Sequence, residues 1–167
     1  MRRRSPERRA GTRPITIAFA MRIFLTGATG YVGSAVLDAL LRGAHDVTAL
    51  VRDPEKAKRV SLRGVQPVVG ALSEPKSYAQ AAETCDAIIH AAYESSKRGP
   101  QGDRQAIDAL RGAAIRHAAK GHPVSFVYTS GVWVLGNTSG KAAEDAPVRP
   151  TPLVAWRPDH ERLVLDA

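Results

Sequence analysis

Three glycines at three-residue spacing are the feature of this sequence best suited to binding a ligand. They are Gly27, Gly30 and Gly33, and they follow a short apolar stretch over 21–26. Glycine permits a tight turn and lets the backbone approach a ligand closely. Where a helix begins at such a loop, its free N–H groups and its dipole favour phosphate oxygens. The spacing therefore predicts a phosphate-binding loop, and the alternative is a glycine-rich turn without a ligand.

The loop lies within an alternation of apolar stretches and amphipathic stretches. Strands are predicted over 21–26, 46–51, 65–69, 86–91 and 124–129, and helices over 31–42, 54–62, 74–83, 103–120 and 153–165. Pro67 favours an edge position for the third strand. Thr151 is expected to cap the last helix, with Pro152 at its first position, after a long loop. The alternation predicts an α/β fold, a Rossmann-type doubly wound parallel sheet of about five strands.

The positive charge of the chain is concentrated at its N-terminal end. The chain has 167 residues and a net charge of +8, and residues 1–20 hold six arginines against one acid, Glu7. Five of the eight net charges therefore belong to a tail, which we expect to be disordered and to precede a single domain over 21–167. An over-extended gene start, with Met21 as the initiator, explains this tail best; an organelle transit peptide is the alternative. No nucleic-acid partner is expected, because charge in a tail is not a basic face.

Cysteine content and hydropathy restrict the class further. Cys85 is the single cysteine, so neither a disulfide within the chain nor a multi-cysteine metal site can form, and no metal site is expected. No apolar run reaches the roughly 18 residues that a membrane-spanning helix needs. No secretory signal is recognisable either. We expect a cytoplasmic protein without a membrane partner.

Four segments together resemble a known family. The run 26–33, TGATGYVG, resembles the phosphate loop of extended short-chain dehydrogenases/reductases, the NAD-dependent epimerase/dehydratase family. The segments 86–92, 126–136 and 144–147 resemble its fourth strand, its fifth strand and the acidic-proline stretch that follows. The resemblance covers roughly 21–167 and implies a dinucleotide cofactor, NADP or NAD. The cofactor-binding residues that it implies are Gly27, Thr29, Gly30, Tyr31, Val32, Gly33, Arg52, Leu72, Ala91 and Ala92.

The end of the second strand selects between the two cofactors. An acid there binds the ribose hydroxyls of NAD, whereas an arginine accommodates the extra phosphate of NADP. The sequence has Arg52 followed by Asp53. NADP is favoured, although Asp53 could reverse the preference and Arg52 could be a solvated surface charge. After the third strand stands Gly70-Ala71-Leu72, where the family usually has an acid beside the adenine, so a carboxylate contact is not expected.

The catalytic residues of the family are only partly present. Family members use a Ser or Thr after the fifth strand and a Tyr-x-x-x-Lys pair on the next helix, where lysine lowers the pKa of the tyrosine. Thr129 and Ser130 are the hydroxyl candidates, but the family's serine aligns with Gly131. No Tyr-x-x-x-Lys occurs in the segment 153–161, where the family's pair is expected, and only Trp156 and His160 match its spacing there. A lone histidine on such a helix is usually exposed, so a surface position is expected for His160. The tyrosines are not expected to substitute.

The resemblance also implies a part that this sequence does not contain. Family members usually continue with a sixth strand and a small substrate domain, which is predicted to be missing here through a truncated gene, a frameshift or a fragment. The two long helices would pair in a homodimer. Three functions remain open: a reductase or epimerase with an altered catalytic helix, an NADP-binding module without turnover, and, least supported, a nucleic-acid-binding protein.

Overall fold

The computed structural model describes residues 20–166. The predicted basic tail, apart from Ala20, lies outside the described residues, and so does Ala167. The elements in chain order are β1 (Arg22–Thr26), α1 (Tyr31–Arg42), β2 (Asp46–Val51), α2 (Pro54–Ser61), β3 (Gln66–Val69), α3 (Ala79–Ala82), β4 (Ala87–His90), α4 (Gly99–Ala118), β5 (Ser125–Tyr128) and α5 (Arg157–Leu165). Short 3₁₀ turns occupy Pro75–Ser77, Val132–Leu135 and Pro152–Val154.

The five strands form one parallel sheet in the order β3-β2-β1-β4-β5. Register pairs Phe24 with Thr48 on one side and with Ile88 on the other, so β1 is the central strand. The predicted doubly wound parallel sheet is confirmed. Pro67 lies on an edge strand, as expected, because proline lacks the N–H that a second neighbour would need.

Alternating side chains of β1 point to the two faces of the sheet and anchor a core on each. Phe24 packs with Leu110 of α4 and with Tyr78, whereas Leu25 packs with Leu37 of α1 and Val60 of α2. The sheet is thus covered by helices on both sides, as its apolar strands require. This arrangement places the carboxyl ends of β1, β2 and β4 at one edge, where a parallel sheet binds its ligands.

The C-terminal segment differs from its prediction in two ways. The helix predicted over 153–165 is a 3₁₀ turn followed by α5, which begins only at Arg157. Pro158 therefore lies in the first turn of α5, where its missing N–H has no partner to lose. Thr151 makes no capping hydrogen bond, and its hydroxyl oxygen is buried without a partner among the described residues.

Other boundaries shift by smaller amounts. The helix predicted over 103–120 is α4, which begins at Gly99 and ends at Ala118. The helix predicted over 74–83 is reduced to a 3₁₀ turn and the one-turn α3. Within residues 20–166, no helix is both long enough and apolar enough to span a membrane.

The burial of two leucines predicts that they contribute very differently to the free energy of unfolding. Leu37 is 0% exposed and Leu62 is 81% exposed. Leu37→Ala should lower the free energy of unfolding by about 2–5 kcal/mol, because it removes buried methyl groups and leaves a cavity. The matched change Leu62→Ala should alter it by no more than about 0.5 kcal/mol. Urea denaturation of both variants measures this, and equal losses would contradict the assigned core.

Candidate functional site

The glycine loop connects the end of β1 to the start of α1 and lies against the end of β4. Gly27 has a φ of +78°, which disfavours a side chain, and a Cβ there would lie 2.6 Å from the carbonyl oxygen of Ala91. Gly30 occupies the position just before α1, and its N–H donates to the Gly27 carbonyl at 2.8 Å. The turn is therefore tight, and the N-terminus of α1 is left facing outward.

Gly33 has a different role from the other two glycines. A Cβ on Gly33 would lie 2.0 Å from the carbonyl oxygen of Gly27, so α1 rests directly on the loop backbone. Any side chain at position 33 would push the helix away from the loop. Gly33 thus fixes the distance between helix and loop without itself facing a ligand.

A groove of about 410 Å³ runs along the carboxyl edge of the sheet from the end of β2 to the end of β4. Nine of the ten residues predicted to bind the cofactor line it, and the tenth, Gly33, lies behind them. Tyr31, at the first position of α1, is 96% exposed. The structure therefore brings the predicted set together at one surface.

The end of β2 presents two cations to this groove. Arg52 and Lys56 both line it. Asp53 caps α2 by accepting a hydrogen bond from the Lys56 N–H at 2.8 Å, and its other oxygen lies 2.6 Å from the Lys56 ammonium. These hydrogen bonds to Lys56 lower the pKa of Asp53. Lys56 was missed in the sequence, although it stands three residues after Asp53, in the first turn of α2.

A buried hydrogen-bond network begins directly behind the loop. The Thr26 hydroxyl oxygen accepts from the backbone N–H groups of Ala91 and Ala92, both at 3.2 Å. Its own proton is therefore available to His90 Nδ1, which lies 2.6 Å away. The end of β1 is thus tied to the end of β4 at the floor of the groove.

Asp103 of α4 is the centre of this network. One carboxylate oxygen lies 3.3 Å from His90 Nε2, and the other accepts from the Tyr128 hydroxyl and contacts His160 Nδ1, both at 2.8 Å. Burial alone would raise the pKa of Asp103, but its contacts with His90 and His160 and the hydrogen bond from Tyr128 outweigh it and leave the pKa below its ordinary value. A single buried carboxylate thus connects β4, β5 and α5.

The structure contradicts the expectation for His160 and explains why Tyr128 cannot replace the family's catalytic tyrosine. The expected surface position of His160 is wrong: the residue is 6% exposed, because it packs against Asp103 and under the Trp156 ring. Burial and the charge of Asp103 both raise the pKa of Tyr128, so it remains a neutral phenol near neutral pH. Tyr128 therefore holds Asp103 and does not have the lowered pKa that the family's tyrosine requires.

The hydroxyl candidates after β5 lie apart from the groove lining. The Ser130 hydroxyl donates to the Glu161 carboxylate, and the Thr129 N–H donates to the His90 carbonyl at 2.9 Å. Gly131 instead lines a second cavity. A Cβ at Gly131 would have the Arg157 side chain as its nearest neighbour at 3.7 Å, so this position has room for a serine.

The second cavity adjoins the groove at Tyr93, which lines both. It measures about 340 Å³, and its walls include Trp133, Trp156 and Arg157. Trp156 and Arg157 come from the start of α5, which the Asp103 network holds in place. The two cavities together form one continuous surface along the carboxyl ends of the strands.

Comparison with known families and proteins agrees with this geometry. A family model described as NAD(P)H-binding matches residues 27–147. The chain is 30% identical over 153 residues to 4-hydroxy-2-methyl-3-oxo-4-farnesyl-3,4-dihydroquinoline-1-oxide ketoreductase of Stigmatella aurantiaca, covering 88% of this chain and 46% of the relative. It is 27% identical over 141 residues to a decarboxylating sterol-4-alpha-carboxylate 3-dehydrogenase of Dictyostelium discoideum, covering 80% and 43%. The chain thus spans less than half the length of these two curated relatives.

Solved structures agree in fold. A short-chain dehydrogenase/reductase superfamily protein from Agrobacterium tumefaciens with bound NAD superposes with a TM-score of 0.65 at 25% identity, covering 86% of this chain and 44% of that one. The Bordetella bronchiseptica enzyme WbmG in complex with NAD gives a TM-score of 0.73 at 15% identity, covering 92% and 52%. The second likeness concerns the fold alone.

The packing of Gly33 predicts a selective loss of ligand binding. Gly33→Ala places a methyl group where the Gly27 carbonyl oxygen stands, so loop and helix must separate and binding of nicotinamide dinucleotides should weaken at least tenfold. Gly102→Ala in α4 is the matched control, because a Cβ there meets nothing within 4 Å. It should leave binding unchanged and stability equal or higher. Calorimetric titration with NADPH compares the two, and equal affinities would contradict the role assigned to Gly33.

The lowered pKa of Asp103 predicts a pH-dependent contribution to stability. The carboxylate stabilises the fold above its unfolded pKa of about 3.9, and this contribution is lost as the pH falls through the lower folded pKa. Asp103→Asn should therefore cost about 1–3 kcal/mol at pH 7, and the difference from the unchanged protein should shrink toward pH 3. Urea denaturation across this pH range measures it.

Asp108→Asn on the same helix is the control for this experiment. Asp108 is half exposed and pairs with Arg104 at the surface, so its loss should cost no more than about 1 kcal/mol. A pH-independent cost for Asp103→Asn would show that the replacement of an acceptor oxygen by an NH2 donor, and not the loss of charge, explains its effect.

Proposed function

This chain belongs to the NAD(P)H-binding family, and we propose that its groove binds NADP(H) in preference to NAD(H). It is the NAD(P)-binding domain of an oxidoreductase related to short-chain dehydrogenases/reductases and epimerases. The observation that carries the preference is the pair of cations, Arg52 and Lys56, at the end of β2 where the adenosine ribose of a dinucleotide binds in such folds.

The neighbouring acid supports the same preference. An acid that selects NAD must offer its oxygens to the ribose hydroxyls. Both oxygens of Asp53 are instead occupied by the N–H and the ammonium of Lys56. The 2′-phosphate of NADP would meet the positive charge of Arg52 here. The Lys56 ammonium, which is paired with Asp53, is a second donor of charge-assisted hydrogen bonds.

The remaining groove residues suit the rest of a dinucleotide. The N-terminus of α1 offers N–H groups and a positive dipole end to the pyrophosphate. Gly27 and Gly30 leave the backbone open on this side, and Leu72 offers an apolar contact for the adenine. Ala91 and Ala92 at the end of β4 leave space for the nicotinamide ribose. A bound cofactor would supply hydride chemistry, and these residues would only hold and orient it.

For catalysis we propose that this chain alone binds the cofactor with little or no turnover. Ser130 remains the weak candidate for a substrate-orienting hydroxyl, with Thr129 beside it, but the Ser130 hydroxyl is bonded to Glu161. Tyr93 and Lys97 match the Tyr-x-x-x-Lys spacing, but they lie in the loop after β4, and no such pair lies on α5. The second candidate is a reductase acting on a carbonyl substrate. It is favoured by relatives that are named as a ketoreductase and as a 2-alkyl-3-oxoalkanoate reductase.

Location and assembly are further parts of the proposal. A homodimer through α4 and α5 is supported by apolar side chains that remain exposed on them, Ile115 and Leu165. A cytoplasmic location is consistent with the one cysteine, Cys85, being a buried free thiol. No role in binding nucleic acid is proposed.

Charge reversal at the end of β2 tests the cofactor preference. Arg52→Asp should weaken NADPH binding by ten- to a hundredfold, since hydrogen bonds between charged groups contribute about 1.5–3 kcal/mol. NADH binding should change less than threefold. Isothermal titration calorimetry with each cofactor measures both affinities.

Arg59→Asp on α2 provides the matched control. Arg59 is exposed and does not line the groove, so the same charge change there should affect both cofactors little. Equal losses of NADPH and NADH affinity in Arg52→Asp would contradict the preference. If none of NAD, NADH, NADP and NADPH binds the unchanged chain, the proposed function itself is contradicted.

A further inference from the structure

Arg157 at the start of α5 is a buried cation without a carboxylate partner among residues 20–166. The residue is 8% exposed, and the one hydrogen bond of its side chain in this region is donated from Nη1 to the Tyr128 hydroxyl at 3.0 Å. Asp103 lies on the far side of that hydroxyl, where it already contacts His90 and His160. Burying a charge is costly unless it is paired, so the free edge of this guanidinium is suited to an anion.

Two aromatic rings lie beside the Arg157 guanidinium. Its central carbon lies 5.0 Å from the centre of the Tyr93 ring and 4.5 Å from that of Trp156. The two rings stack on each other with centres 5.6 Å apart. These cation–π contacts help to fix the guanidinium in place, and its remaining N–H groups are available for recognition. The orientation is fixed further by the hydrogen bond to Tyr128.

The cavity beside this arginine has the size and lining of a small-molecule site. It measures about 340 Å³, against roughly 150 Å³ for a cavity that holds one benzene molecule, so two fused rings fit. Trp133 and Trp156, the two tryptophans of the chain, both line it. Gly131 contributes no side chain, which leaves space next to the guanidinium.

We infer that this cavity binds an aromatic molecule of about two fused rings that carries an anionic oxygen, which pairs with Arg157. The rings would pack on Trp133 and Trp156, and the oxygen would accept hydrogen bonds from the free guanidinium edge. Tyr93 lines both cavities, so such a ligand would lie next to the nicotinamide end of the cofactor groove. The ligand's assignment as the substrate class of the oxidoreductase rests on the proposed function, whereas the binding site does not.

The test is calorimetric titration of the full chain with 2-naphthoate and with 2-naphthalenemethanol, its uncharged counterpart. The unchanged protein should bind 2-naphthoate at least tenfold more tightly than the alcohol. Arg157→Met, which keeps a long apolar stem, should remove that difference. Arg162→Met is the control on the same helix, because Arg162 is exposed and pairs with Asp159 at the surface. It should bind 2-naphthoate as the unchanged protein does.

Three results would overturn the inference: no saturable binding of 2-naphthoate, equal affinity for acid and alcohol, or undiminished binding of 2-naphthoate by Arg157→Met. The comparison of the two ligands needs no variant, so it decides the matter even if Arg157→Met fails to fold. NADPH is titrated into the same samples. If the unchanged protein binds NADPH but not 2-naphthoate, the result counts against this inference alone. If the unchanged protein does not bind NADPH, the result counts against the proposed function.

Discussion

The contact between the backbone at Gly27 and the start of α1 at Gly33 determines how the groove is built. A Cβ at position 33 would stand 2.0 Å from the Gly27 carbonyl oxygen, so the helix can lie this close only because there is none. On its other side the loop lies against Ala91, again at a distance that a side chain at Gly27 would forbid. These two close contacts bring the N-terminus of α1 to the carboxyl end of the sheet. The other residues that line the groove lie on either side of this helix end.

The buried network behind the loop relates this point to the second cavity. Thr26, His90 and Asp103 link the end of β1 to α4, and Tyr128 with Arg157 continues the contacts to α5. Buried polar groups of this kind stabilise a structure only when their partners are all in place. The position of α5, and with it the second cavity, therefore depends on a carboxylate far from the glycine loop in sequence. The glycine loop and the start of α5, which line the two cavities, are thus connected by the same interior contacts.

The sequence predicted what depends on local patterns. Each strand and helix is signalled by the spacing of apolar residues within its own segment, and the glycine loop by three nearby glycines. The edge position of β3 is signalled by Pro67 alone. Burial of His160 could not be predicted in this way, because its partner, Asp103, is 57 residues away in the chain. The same applies to Thr151, whose capping pattern is local but whose surroundings in the folded chain are not. Lys56 is an intermediate case. Its closeness to Arg52 can be read in the sequence, but only the folded structure shows that both side chains line the same groove.

A crystal structure of this chain grown with NADPH would test whether the groove along β1, β2 and β4 holds NADP. We expect the pyrophosphate at the N-terminus of α1 and the 2′-phosphate within hydrogen-bonding distance, about 3 Å, of the Arg52 or Lys56 side chain. A cofactor bound elsewhere on the chain, or a 2′-phosphate turned away from both cations, would contradict it.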